Sequence, residues 1–345
     1  MKKNILSSTI VLILILSFFP DVVNAGSRDG RVVTDMAGRT MVINREVKRI
    51  ITTFKPSTLF ILCLGLQHKL VGIDTSSKRD KLTLAVFPDV IKVTGVGSKT
   101  MGINFETLVS LKPDLVILYP QKNGLALAKR LETINIPSIV IIPETFATIK
   151  ESLRLIALAA GRRTEILNIE QQMDAVLSLT AGRLSGLKEE DRKRGYFAST
   201  RGIFSTTTGN MLQDEVFRRA GIINVSHDLA GYFQDISPEQ LIKWNPDVIV
   251  LSQHMKKQER DRLENKALLK IEAVSGKKVF QCPSNLAPWD FPSPMSVLAS
   301  LWLAEKVYPE RFSDIDIKKK INDFHYKLFG KTLTQMGGII DNTIY

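Results

Sequence analysis

The stretch "SPEQLIKWNPDVIVLSQ", residues 237–253, decides the fold because it repeats the pattern of "NFETLVSLKPDLVILYPQ", residues 104–121. In each copy a Glu is followed two residues later by Leu and seven residues later by a Pro-Asp pair, which precedes an apolar run. The glutamates, Glu106 and Glu239, are 133 positions apart, and the other matched residues keep that offset. The repeat predicts two lobes of similar architecture.

Each copy also predicts a helix that is followed by a buried strand. Asn104 and Ser237 are suitable N-caps, and each Glu then falls in the first helical turn, where a negative charge suits the helix dipole. The Pro-Asp pair ends the helix before the strand. A single copy would be a helix start that any α/β protein uses, but two copies in one chain favour a duplicated lobe.

The rest of the chain reads as alternating helices and short apolar strands, the pattern of parallel sheets that are covered by helices on both faces. A hairpin is predicted around Ala37 and Gly38, in "RVVTDMAGRTMVI". From Thr145 a long helical stretch begins, "TFATIKESLRLIALAAGRRTEILNIEQQMDAVLSLTAGRL". We therefore predict an α/β fold with an N-terminal lobe at 26–145, a connecting helical segment at 146–187 and a C-terminal lobe at 188–345.

The first 25 residues are predicted to be a secretory signal peptide, with two lysines, an apolar core and small residues before Gly26. An uncleaved membrane anchor is the alternative, but the apolar core is short for a bilayer. No Cys lies near the cleavage site, so no lipid anchor is expected, and the protein is placed in the periplasm. A disulfide between Cys63 and Cys282 is possible there but has no support in the sequence.

The formal net charge is +12, which favours anionic partners or simply a basic, soluble surface. Nucleic acid is not expected as a partner, because the protein is exported and its basic residues are scattered.

Several segments together resemble the class III solute-binding proteins of ABC importers, which take up iron-siderophore complexes, haem or cobalamin. These segments include "LGLQHKLVGID", "GNMLQDEVFRRAGIINV" and "WDFPSPMSVLASLWLAEKVYPERF", in addition to the two repeats. The resemblance implies two Rossmann-like lobes joined by a long rigid helix, with a ligand cleft between them. It also implies a monomer that delivers its ligand to an ABC permease dimer with ATPase subunits, and that Glu106 and Glu239 dock to arginines of that permease.

Ligand-binding residues are expected beyond the carboxyl ends of the strands, where parallel sheets collect ligands. The candidates are Phe54, Lys55, Lys99, Met101, Tyr119, Gln121, Arg201, Phe204, Tyr232, Phe233, Gln253, His254, Trp289 and Asp290. Aromatic rings with cationic or hydrogen-bonding groups suit a bulky, partly anionic metal chelate. In the resembling family, aromatic residues that match Tyr119, Tyr232 and Phe233 line the cleft. Phe54 and Phe204 could equally be core residues, and Arg201 a surface charge.

A ferric siderophore is the first choice of ligand, with no resident cofactor. Cobalamin or haem, molybdate or tungstate, and chelated nickel are the alternatives. A bare metal ion is not expected, because the four histidines are dispersed. A two-lobed periplasmic enzyme is the alternative from another class, but no nucleophile elbow, paired helical histidines or phosphate loop is present. An adhesion or sensor module would not explain the paired acidic helix starts.

Overall fold

The structure is a computed structural model that describes residues 30–98, 101–120, 123–162 and 165–340. The predicted signal peptide, residues 1–25, lies outside this part of the chain. No helix within the described residues is long and apolar enough to cross a membrane.

The N-terminal lobe is built on a parallel sheet with strand order β5-β4-β3-β8-β9. Its strands are β1 (Arg31–Thr34), β2 (Thr40–Ile43), β3 (Ile50–Thr52), β4 (Leu70–Ile73), β5 (Thr94–Gly95), β6 (Gly97–Ser98), β7 (Gly102–Ile103), β8 (Leu115–Leu118) and β9 (Ser138–Val140). Its helices are α1 (Lys55–Cys63), α2 (Lys81–Val86), α3 (Phe105–Ser110) and α4 (Gly124–Thr133). The predicted hairpin is confirmed, because β1 and β2 pair antiparallel around Gly38, whose φ of 78° suits glycine.

The connecting segment consists of two helices, α5 (Phe146–Ala160) and α6 (Glu165–Arg183), and is not one continuous helix. The helix α5 ends at Gly161, which adopts the left-handed conformation with φ of 72°. A left-handed residue stops the α-helical hydrogen-bond pattern, so the predicted connecting helical segment is interrupted at Gly161. The segment is nevertheless helical on both sides of the break. The exact lobe boundaries at 145 and 187 stay a prediction.

The C-terminal lobe repeats the parallel arrangement of the first. Its strands are β10 (Lys193–Ala198), β11 (Ser205–Thr207), β12 (Ile222–Asn224), β13 (Phe233–Asp235), β14 (Val248–Leu251) and β15 (Val279–Gln281). Its helices are α7 (Leu212–Arg219), α8 (Pro238–Trp244), α9 (Lys257–Arg260), α10 (Glu272–Ser275), α11 (Val297–Val307) and α12 (Ile317–Phe329). The parallel order β12-β10-β14-β15 matches β4-β3-β8-β9, while β11 and β13 add an antiparallel edge. Two α/β lobes with mostly parallel sheets are thus confirmed.

The sequence repeat has the same structural role in both lobes. The side chain of Asn104 accepts the N–H of Thr107 at 2.9 Å at the start of α3, and Ser237 accepts the N–H of Gln240 at 3.1 Å at the start of α8. Both N-caps are as predicted.

The aspartates of the two Pro-Asp pairs have a function that the sequence did not reveal. The Asp114 carboxylate accepts the backbone N–H groups of Lys48 and Arg49 just before β3, at 2.9 and 3.0 Å. In the second lobe, the Asp247 carboxylate accepts the N–H of Arg194 in β10 at 2.7 Å. Each Asp therefore joins the start of its own strand to the start of the central strand beside it.

A continuous apolar core runs from the N-terminal lobe through α5 and α6 into the C-terminal lobe. Two direct contacts show how closely the lobes are joined. The sulfur of Cys63 in α1 lies 3.8 Å from the sulfur of Met295. The N–H of Phe146 donates to the Glu215 carboxylate of α7 at 2.6 Å. Cys63 and Cys282 are both buried and free, so they are not paired.

His325 in α12 is a buried histidine in this core, and it predicts an acid sensitivity of the fold. Burial lowers the pKa of His325 to about 4, although a contact between Nδ1 and the Ile321 carbonyl oxygen partly opposes the shift. The folded state therefore excludes a proton that the unfolded chain binds below pH ~6.5. Stability from this residue is fully present above that pH and is lost as the pH falls towards 4.

We expect His325→Phe to flatten the fall in the free energy of unfolding between pH 6.5 and 4, by up to on the order of 3 kcal/mol at the acid end. Urea denaturation at several pH values measures this change. His68→Gln, at an exposed histidine, is the matched control and should follow the wild type. Parallel pH profiles for His325→Phe and the wild type would contradict the assignment.

Candidate ligand-binding cleft

Side chains from both lobes meet beyond the carboxyl ends of the central strands. In the N-terminal lobe, Phe54 and Lys55 follow β3 and Tyr119 follows β8. In the C-terminal lobe, Gln253 and His254 follow β14. Because the carboxyl ends of neighbouring parallel strands lie at one edge of a sheet, each lobe presents these residues on one side.

Lys55 links the two walls of the cleft. Its ammonium group forms an ion pair of 2.5 Å with the carboxylate of Asp80, in its own lobe. It also lies 5.7 Å from the centre of the Phe291 ring, in the opposite lobe. The ring of His254 packs edge-on against Phe291, with 5.7 Å between ring centres. Lys55, Phe291 and His254 therefore meet across the cleft.

The electrostatic environment of His254 includes the charges of Lys55 and Asp80. Partial burial lowers the pKa of His254, and the positive charge of Lys55 lowers it further, against a smaller opposite effect of Asp80. Since a large part of the ring remains exposed, we attribute the burial to the side of the ring that packs against Phe291. A lowered pKa favours the neutral imidazole at neutral pH, so His254 contributes a hydrogen-bonding group rather than a charge.

Tyr119 and Phe54 form an aromatic wall in the N-terminal lobe. Their rings stack with centres 5.0 Å apart, and the Tyr119 hydroxyl donates to the Glu144 carboxylate. Burial raises the pKa of Tyr119, and Glu144 and Tyr232 raise it further. Tyr232, in the C-terminal lobe, is 48% exposed.

Arg201 and Phe233 form the corresponding surface of the C-terminal lobe. The guanidinium carbon of Arg201 lies 4.7 Å from the centre of the Phe233 ring, which is a cation–π arrangement. Phe204 packs partly buried against the core of its lobe, so its side chain has a structural role.

Asp290 lies behind the cleft, and its side chain is almost completely buried. Burial raises the pKa of its carboxyl to about 6, although hydrogen bonds from Ser252 and the Gln253 backbone and the charge of Lys55 oppose the shift. Its main-chain oxygen accepts the side-chain amide of Gln213 at 2.7 Å. Asp290 thus braces the loop that carries Gln253 and His254, and its buried side chain offers a ligand little surface.

The structure does not support Trp289 as a ligand contact. Its side chain is 0% exposed and its ring lies 6.4 Å from that of His325 in the core. The prediction assumed that a ring with a polar N–H after a strand stays near the surface. The strand β15 ends at Gln281, and the chain then turns back into the core before it reaches Trp289.

Three candidates remain, Met101, Lys99 and Gln121. Met101 is 88% exposed beside the β6–β7 hairpin, and its N–H donates to the Ser98 hydroxyl. Lys99 and Gln121 lie outside the described residues.

Sequence reasoning missed Asp80, Glu144 and Phe291, each of which contacts a predicted residue. Asp80 has a local signal, since "DKLT" is a helix start with an acidic N-cap, but nothing local shows its pairing with Lys55.

These groups together suit an anionic ligand that carries aromatic or other apolar surface. The cleft has cationic groups beside aromatic faces, together with neutral hydrogen-bonding groups from Gln253 and His254. Within the described residues, no cluster of three or more His, Cys, Asp or Glu side chains could hold a bare metal ion.

The chain is similar to known proteins over most of its length. The sequence profile of the family described as "Periplasmic binding protein" matches residues 50–286. The molybdate-binding protein MolA of Haemophilus influenzae is 25% identical over 325 residues, which cover 87% of this chain and 91% of that protein. The Fe(3+)-citrate-binding protein YfmC of Bacillus subtilis is 28% identical over 262 residues, which cover 74% of this chain and 78% of that protein.

Solved structures share the fold. MolA bound to molybdate superposes with a TM-score of 0.77 at 24% identity, covering 88% of this chain and 98% of MolA. Helicobacter pylori CeuE with Ni(II) bound has a TM-score of 0.77 at 23% identity, covering 89% of this chain and 98% of CeuE. With the family match over most of the chain, these findings confirm the resemblance inferred from the sequence. The chain belongs to the periplasmic binding protein family, as the substrate-binding component of an ABC importer and not an enzyme.

Proposed function

We propose that the mature protein, after removal of residues 1–25, captures an anionic metal complex in the periplasm and delivers it to an ABC permease dimer. A ferric chelate, such as a siderophore complex, is the first candidate. The observation that carries this proposal is the placement of two cationic groups over aromatic rings, Lys55 over Phe291 and Arg201 over Phe233. Such surfaces combine charge attraction with apolar contact, and a chelate with an organic shell uses both.

Molybdate or tungstate is the second candidate, because the similarity to MolA extends over most of both chains. The name of YfmC supports the iron candidate in the same way. Both candidates share an anionic charge, whereas cobalamin carries little net charge and depends on ring contacts. Haem and chelated nickel complete the set of ligands to test.

Isothermal titration calorimetry tests the proposal with ferric citrate, a ferric hydroxamate siderophore, molybdate, tungstate, haemin, nickel-histidine and cyanocobalamin. We expect tight binding of at least one anionic metal species, with an affinity that falls as NaCl is added. The metal content and absorbance of protein from its native host identify the natural cargo. Binding of cyanocobalamin alone would contradict the anionic class.

Tyr119→Ala is expected to weaken binding by about 1–3 kcal/mol, roughly fivefold to 150-fold in Kd, because it removes a ring that follows β8 and stacks on Phe54. Calorimetry with the ligand identified above measures the loss. Tyr326→Ala is the control, since Tyr326 is an exposed tyrosine on α12. Equal affinities for Tyr119→Ala and the wild type would place the site elsewhere.

The lobes are expected to move little on binding, because the shared core and the contacts of α5 and α6 resist a hinge motion. Small-angle scattering of the free and ligand-saturated protein should give nearly equal radii of gyration. A clear compaction on saturation would refute this expectation.

Docking of the permease by Glu106 and Glu239 is a further part of the proposal. Both side chains are exposed in the first turn of a helix, α3 and α8, at matched positions of the two lobes. The pKa of Glu239 is lowered by its own backbone N–H and the Ser237 hydroxyl, so the side chain stays ionised. Two equivalent charges on similar lobes suit a partner with two-fold symmetry.

The double variant Glu106→Ala/Glu239→Ala is expected to keep its ligand affinity while transport and permease-stimulated ATP hydrolysis fall at least severalfold, because exposed charge pairs mainly guide encounter and orientation. Glu132→Ala/Glu264→Ala, at exposed glutamates of the same two lobes, is the matched control. Normal delivery by the first double variant would show that the glutamates serve only their helix N-termini.

A further inference from the structure

The two partners of the ion pair between Lys55 and Asp80 differ in their exposure to solvent. The Asp80 side chain is 1% exposed, whereas that of Lys55 is 15% exposed. An incoming ligand therefore has access to part of the Lys55 side chain, whereas the Asp80 carboxylate is enclosed. Lys55 begins α1 and Asp80 precedes α2, so the pair also fixes the starts of two helices relative to each other.

The structural role of Asp80 uses only one of its two carboxylate oxygens. Oδ1 accepts both the N–H and the hydroxyl of Thr83 at 2.9 Å and so caps α2. Oδ2 is the oxygen that contacts Lys55. Asparagine caps helices as well as aspartate does, so the helix does not require the negative charge. Burial of a carboxylate is costly, and here the cost is offset by the ammonium group.

The charge of Lys55 acts on the opposite wall of the cleft. It approaches the ring of Phe291, affects the titration of His254 and favours the ionised form of Asp290. Asp80 has the opposite influence on His254. The net charge that a ligand meets at this point therefore depends on Asp80 as well as on Lys55.

We propose that Asp80 is the internal counter-ion of the cleft: it neutralises Lys55 in the empty protein and so determines how strongly the site attracts anions. The affinity for a ligand then depends on its charge, because an anion must share Lys55 with a carboxylate that cannot leave. This role of Asp80 rests on the proposed function, the capture of an anionic metal species.

Calorimetry of Asp80→Asn with ferric citrate, molybdate and cyanocobalamin tests the proposal. We expect anions to bind roughly threefold to tenfold tighter than to the wild type, because a negative charge several ångströms from the ligand is removed. The gain should shrink at high NaCl, and cyanocobalamin should show none. Asp89→Asn removes an exposed carboxylate paired with Lys92 and is the matched control, with no gain expected. Equal or weaker anion binding by Asp80→Asn would overturn the proposal.

A second measurement requires no ligand. In NMR titrations of the free protein, with the signal assigned through His254→Gln, we expect Asp80→Asn to lower the pKa of His254, because Lys55 is no longer neutralised. The variant Lys55→Gln/Asp80→Asn should bring it back up, and Asp89→Asn should leave it unchanged. An unshifted His254 in Asp80→Asn overturns the counter-ion role. If the wild type binds no anion while His254 shifts as expected, the proposed function fails and the counter-ion role is retained.

Discussion

The apolar core that continues from one lobe into the other is the constraint on which the rest of the structure depends. Cys63 at the end of α1 meets Met295 of the C-terminal lobe, and α6 packs against α11. Close-packed interiors resist deformation, so the two sheets are held with their carboxyl edges in a fixed relation. We therefore expect the cleft to be largely preformed. Binding then loses little free energy to the ordering of the lobes.

The two lobes have similar architecture because the sequence pattern occurs twice. The same local interactions stabilise both copies. In both lobes a Pro-Asp pair follows a capped helix, and the Asp carboxylate joins the strand that it precedes, β8 or β14, to the neighbouring strand, β3 or β10. The lobes differ where the ligand meets them. The N-terminal lobe contributes the Phe54 and Tyr119 rings, while the C-terminal lobe contributes Arg201 with Phe233 and the loop after β14. Two lobes of similar architecture thus form a cleft whose two walls differ in their chemical groups.

Charge in the cleft is balanced more closely than the net charge of +12 implies. Lys55 is neutralised by Asp80, His254 favours its neutral form, and Asp290 is buried with a raised pKa. The excess of basic residues therefore lies on the surface, where water hydrates their charges. Inside the cleft, Lys55 is paired and the pKa values of His254 and Asp290 are shifted, because a lone charge in a poorly hydrated site is costly.

The sequence by itself determined the elements that depend on interactions between near neighbours in the chain. Apolar runs, N-caps and the repeat at Glu106 and Glu239 predicted the parallel strands, the helix starts and the two lobes, since these depend on neighbours within a few residues. Most of the cleft residues followed from their position after a strand. The tertiary structure alone decided that Trp289 is core, that Asp80 and Phe291 flank Lys55, and that α5 and α6 are separate helices. Burial and ion pairing bring together residues that are distant in the chain. Local sequence patterns do not show such partners.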